Sequence, residues 1–93
     1  MLIYTMLIIG LSMMPTIEPG LHDVSVADRD NLEIGNIYCY NLDWRCFEPM
    51  PGIRYVCHRL IDVKDDMLIF KGDNNDRADC PTKRYNVALE VLV

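Results

Sequence analysis

Ser12, His58, Asp73 and Asp79 are the residues of this chain whose types could do chemistry together. A serine hydroxyl is a poor nucleophile until a base takes its proton, and imidazole is the side chain tuned to do so near neutral pH. A carboxylate on the far ring nitrogen would then fix the tautomer and support the imidazolium. Ser12 stands in LSMMPTIEPG, where an apolar run breaks. His58 stands among apolar neighbours in VCHRLI, and the two aspartates bracket GDNNDRAD, where Gly72 permits a tight turn. Each also suits an ordinary role. Ser12 before Met-Met-Pro fits a turn or a helix cap. His58 fits a satisfied core histidine, and Asp73 fits a turn former accepting backbone N–H groups in GDNN. Separation along the chain cannot show whether the four meet, so the elements that would carry them have to be read.

With 93 residues, 51% hydrophobic and 25% charged, the chain has the composition of one small globular domain, residues 1–93, with room for one core. Turn residues fall at Pro15, Pro19-Gly20, Asp28 to Asn31, Gly35-Asn36, Pro49 to Gly52, Asp65-Asp66 and Gly72 to Pro81. Between them lie YTMLII, HDVSVAD, NIYCYNL, IRYVCHRLIDV, MLIFKG and NVALEVLV, short runs rich in Val, Ile and Tyr. Asp65-Asp66 separates two of them at hairpin distance. No amphipathic helix is evident. The expected fold is mostly β, about six or seven strands in a small barrel or folded sheet. NLDWRCFEPMPG, residues 41–52, reads as a connecting loop.

The apolar run from Met1 to Met14 is shorter than the roughly 20 residues a spanning helix needs, and Pro15 ends it. It lacks the basic start of a secretory leader, and its β-branched content predicts a buried strand. The expectation is therefore a soluble chain, or one touching membranes only peripherally. A net charge of -5 without a Lys/Arg stripe argues against nucleic acid, whose affinity rests on phosphate neutralisation. Cys39, Cys46, Cys57 and Cys80 lack the close CxxC spacing of zinc sites. Cys57 and His58, adjacent on a strand, point to opposite faces. No metal and no cofactor is expected, and without a leader the cysteines are expected to be reduced thiols. His22 is read as a loop histidine, and Arg59 as facing away from His58 in a surface ion pair.

LSMMPTIEPG, EIGNIYCY, YVCHRLIDV and KGDNNDRADCP, in that order, resemble the successive motifs of the type I signal peptidases. The likeness is to the archaeal and endoplasmic-reticulum branch, whose base is histidine. That pattern runs Ser-Met-x-Pro-Thr, a Gly-Asp-Ile-Val strand, His-Arg-Val-Ile, then Lys-Gly-Asp-Asn-Asn with an aspartate six positions past the first. Here Ser12 to Thr16, His58 to Ile61 and Lys71 to Asn75 align without gaps, and Asp79 falls six past Asp73. The resemblance implies a mostly-β protease core with Ser12 as nucleophile and His58 as general base. Asp79 or Asp73 would orient His58, Asp79 being preferred. Gly10, Leu11 and Met13 would help form the oxyanion and substrate groove.

Five departures bear on that expectation. Gly10 stands where the family has a serine whose hydroxyl helps hold the oxyanion, and bulky Leu11 replaces the usual glycine before the nucleophile. Asn36 replaces the strand aspartate, and PGLHD replaces Pro-Gly-Asp. The family carries a membrane anchor ahead of the nucleophile, and none is expected here. The expected activity is a serine endopeptidase cutting leader-like peptides, bound extended, after small residues. Two other jobs stay open: a soluble processing or self-cleaving protease related to the SOS repressor proteases, or a catalytically degenerate binding module.

Overall fold

The computed structural model describes residues 1–42, 46–47 and 51–93. Its strands are β1 (Tyr4–Ile8), β2 (Gly20–Val26), β3 (Ile37–Asn41), β4 (Tyr55–Lys64), β5 (Met67–Lys71), β6 (Thr82–Lys83) and β7 (Val87–Val91), with one 3₁₀ turn over Arg84–Asn86. They form one antiparallel sheet in the order β1-β2-β7-β3-β4-β5-β6, curled into a half-barrel. The mostly-β expectation of six or seven strands is met. The six predicted runs each supply a strand, and the seventh, β6, is a two-residue strand too short to leave a pattern. Of the predicted 41–52 loop, 43–45 and 48–50 lie outside the described residues. No helix among the described residues is long and apolar enough to cross a membrane.

Curling decides where the core sits. β3, between β4 and β7, is buried on both faces. Tyr38 and Tyr40 pack on one side with Leu60, Leu68, Phe70 and Val87. Ile37 and Cys39 pack on the other with Met13, Ile17, Val24 and Val91. The buried residues therefore form two clusters rather than the single expected core. β1 is an edge strand with one neighbour among the described residues, so Tyr4 and Leu7 are exposed and only Met6 and Ile8 turn inward. The buried strand expected there is corrected: an apolar run was read as interior, but an edge strand is covered on one face and along one side only.

β4 is ten residues long and serves two partners. Tyr55 to Arg59 pair with β3, and Arg59 to Lys64 pair with β5. A bulge between Leu60 and Asp62 marks the change, bending the strand as extra residues do. The predicted hairpin closes through Asp65-Asp66, with Asp65 at φ 55°, a conformation aspartate tolerates better than most residues.

Against the reduced-thiol expectation, Cys39 lies at disulfide distance from Cys57 and Cys46 from Cys80, and among the described residues every cysteine has such a partner. Cys39 and Cys57 are direct cross-strand partners of β3 and β4, a juxtaposition that spacing alone does not announce. The bonds close loops of 18 and 34 residues, which in the chain-entropy account stabilise the fold by about 3 and about 4 kcal/mol. Urea unfolding with and without a dithiol reductant checks this. The midpoint should fall on reduction, and Cys46→Ser/Cys80→Ser should reproduce the larger share.

Candidate active site

The turn after β1 carries Ser12. Met14 N–H donates to the Leu11 carbonyl (3.1 Å) and Ile17 N–H to the Met13 carbonyl (3.0 Å), winding 11–17 into tight turns that bury Met13 and Ile17. Ser12 itself stays half-exposed. His58 lies on β4 opposite Tyr38 of β3. It sits just before the residue where β5 pairing begins, so β5 does not cover that stretch of β4. From Lys71, the last β5 residue, the chain swings out through Gly72 to Asp79. It returns where Asp79 N–H donates to the Phe70 carbonyl (2.7 Å). That closure puts the Asp79 carboxylate beside the imidazole.

The resulting contacts form a relay. His58 Nδ1 and Asp79 Oδ2 are 2.5 Å apart, and His58 Nε2 and Ser12 Oγ are 3.0 Å apart. A carboxylate only accepts, so Nδ1 carries the proton, and Nε2 presents its lone pair to the serine hydroxyl. His58 is 4% exposed and the Asp79 side chain 6%, so both interact with little water between them. Tyr40 also donates its hydroxyl to Asp79 Oδ2. Burial and the Asp79 charge hold the Tyr40 phenol well above its usual range, so it stays a donor.

Asp73 takes a different place. Arg59 Nε and Nη2 donate to its two oxygens at 2.9 and 2.8 Å, and Thr16 Oγ1 donates to Oδ2 at 2.6 Å. Arg59, pointing away from His58 as expected, also donates from Nη1 to the Gly35 carbonyl (2.5 Å). The guanidinium beside Asp73 is the main reason its carboxyl titrates below the usual 3.8. The same loop grips the serine turn through its backbone. Asn74 N–H donates to the Ser12 carbonyl (2.7 Å), Asn74 Nδ2 to the Leu11 carbonyl (3.0 Å) and Asp73 N–H to Met13 Sδ (3.4 Å). Gly72 makes this approach possible, since a Cβ there would stand 2.7 Å from the Ser12 carbonyl oxygen and 2.7 Å from Asn75 Nδ2.

A largely apolar groove of about 650 Å³ opens at the relay. Met6 to Gly10 form one wall and Gly52 to His58 the other, with Ser12, Met13 and Asn75 at its end. Gly10, at φ 85°, and Met13 line this groove. Leu11 is exposed and outside the groove lining, and its carbonyl is an acceptor in the turn. His22 lies in β2 rather than in a loop, with its ring Nε2 donating to the Glu18 carbonyl (2.6 Å).

Sequence reading overlooked Tyr40, Asn74 and Asn75. The asparagines lie inside the GDNN motif already singled out. Tyr40 carries no local signal, because only the β3–β4 register and the Asp79 closure bring its hydroxyl to the relay. No group of described residues has the geometry of a metal site. No family model, curated protein or solved structure matches the chain.

Proposed function

We propose that this chain is a serine endopeptidase of the signal peptidase type, and the observation that carries the reading is the Ser12–His58–Asp79 relay opening into a groove. His58 Nε2 takes the proton as Ser12 Oγ attacks a peptide carbonyl, and Asp79 supports the imidazolium. The imidazolium then protonates the leaving amine, and water, activated by the same ring, releases the acyl group. The negative charge on the carbonyl oxygen needs donors. Gly10 brings no hydroxyl, so the Ser12 N–H and the Asn75 side-chain amide take that part.

The groove suits an extended chain. Its walls are the side of β1 that no described strand pairs and the stretch of β4, Tyr55 to His58, that β5 leaves uncovered. Main-chain pairing to such edges gives affinity, and alternate side chains enter pockets. The resemblance adds the expectation of small residues before the cut.

The test uses leader-like peptides with alanine at that position. Mass spectrometry should find one cut after alanine, and a serine-directed phosphonate should label Ser12 in folded protein but not in urea. Asn75→Ala should keep binding while slowing turnover about 100-fold, as loss of one oxyanion donor does. Peptide binding without any cleavage would make the chain a binding module and end the enzymatic reading.

A further inference from the structure

We propose that Tyr40 is a positioning residue of this relay, its hydroxyl sharing Asp79 Oδ2 with His58 and so limiting how much carboxylate charge the imidazole receives. The inference rests on the protease reading for its consequence, though not for its geometry.

Three features fix the phenol. Tyr40 lies on β3, hydrogen-bonded between β4 and β7, and is 2% exposed. Its ring stacks on Phe70, with centroids 4.5 Å apart and planes at 25°, and leans on Phe47 at 6.5 Å. Phe70 also supplies the carbonyl that anchors Asp79 N–H, so the residue that packs the phenol ring also ties down its acceptor. Tyr38, two residues earlier on the same face, shows that the face alone does not dictate this role. Its hydroxyl accepts the Glu33 N–H (2.9 Å) and closes a different loop.

A carboxylate oxygen holding one donor concentrates its charge on that donor. A second donor on the same oxygen draws part of the charge away, so the imidazolium gains less. Among the described residues, the groups facing His58 are few. Asp79 and Ser12 contact its ring, Tyr40 reaches it through Asp79, and Tyr38 lies across the strand pair. Cys57 is engaged by Cys39 on the opposite face, and Arg59 is turned away and matched by Asp73. Tyr40 is therefore the neighbour positioned to adjust the base. By sharing Asp79 Oδ2 it limits the pull on the Nδ1 proton and so tunes Nε2 as the acceptor of the serine proton.

The experiment follows His58 by NMR across pH in the full chain, alongside kcat/KM for the alanine peptide. In Tyr40→Phe the His58 midpoint should rise by about half a pH unit or more, and the acid limb of kcat/KM should rise with it. A chain carrying 3-fluorotyrosine at position 40, a stronger donor of nearly the same shape, should move both the other way. That variant decides the matter if Tyr40→Phe folds poorly. A His58 midpoint that stays in place in the folded variants overturns the proposal and reduces Tyr40 to packing. The NMR titration needs no turnover, so absence of cleavage by the unmodified chain would count against the protease reading and leave the Tyr40 result standing.

Discussion

Ser12→Ala should lower kcat on the alanine peptide by about a million-fold, the scale seen when the nucleophile of a serine relay is removed. The fold should barely notice. Ser12 is half-exposed, and among the described residues its hydroxyl has one hydrogen-bond partner, His58. The turn around it is held by backbone groups of Leu11, Met13 and Asn74, which alanine leaves in place. His58→Gln should cost about as much, because members of one relay fail as a unit, and the double variant should be little worse than either single one. His58 is buried against Asp79 and Tyr40, so glutamine, with an amide N–H still able to donate to the carboxylate, is the substitution of choice. Peptide cleavage and thermal unfolding measured on the same samples separate the two effects. Turnover persisting at more than a thousandth of the original rate in Ser12→Ala would rule out Ser12 as nucleophile.

The second large effect divides the two aspartates. Asp79→Asn should reduce kcat by about ten-thousand-fold, because an amide can donate to Nδ1 and hold the ring in the wrong tautomer. Asp73→Asn should reduce activity far less and act mainly on stability, since Asp73 holds Arg59 and Thr16 rather than the imidazole. Partly exposed charged pairs of this kind contribute about 1 kcal/mol. Acid supplies a further check. The Asp73 carboxyl titrates lower when folded than its ordinary 3.8, so its contribution is complete above that value and is lost as pH falls through the lower folded one. The stability gap between the original chain and Asp73→Asn should therefore be widest near neutrality and close below pH 3.8. If Asp73→Asn stopped catalysis and Asp79→Asn spared it, the assignment of the orienting carboxylate would be reversed.

The disulfides bear on both experiments. Cys57 precedes His58 and Cys80 follows Asp79, so each bond is covalently next to a member of the relay. Reduction would loosen the segments that set the 2.5 Å contact between Nδ1 and Oδ2, and assays comparing variants need one fixed redox condition.

Much was legible before any coordinates, for local reasons. Strands show themselves through runs of β-branched and aromatic residues between turn formers, and IRYVCHRLIDV, Asp65-Asp66 and MLIFKG announce a hairpin in this way. Ser12, His58 and Asp79 could be nominated because a hydroxyl, an imidazole and a carboxylate can form a relay, and because the stretches that carry them resemble a family's motifs in order. Arg59 could be turned away from His58 because neighbours on a strand face opposite sides.

What folding alone decided depends on which strands become neighbours. The pairing of Cys39 with Cys57, the edge position of β1 and the two-sided burial of β3 follow from the sheet order β1-β2-β7-β3-β4-β5-β6, and no local propensity encodes a partner far along the chain. The split between Asp73 and Asp79 is of the same kind. Both sit in one loop, and the Asp79 N–H bond to Phe70 sends one carboxylate to the imidazole while the other meets Arg59. Side-chain chemistry is written residue by residue, whereas proximity is a property of the closed sheet.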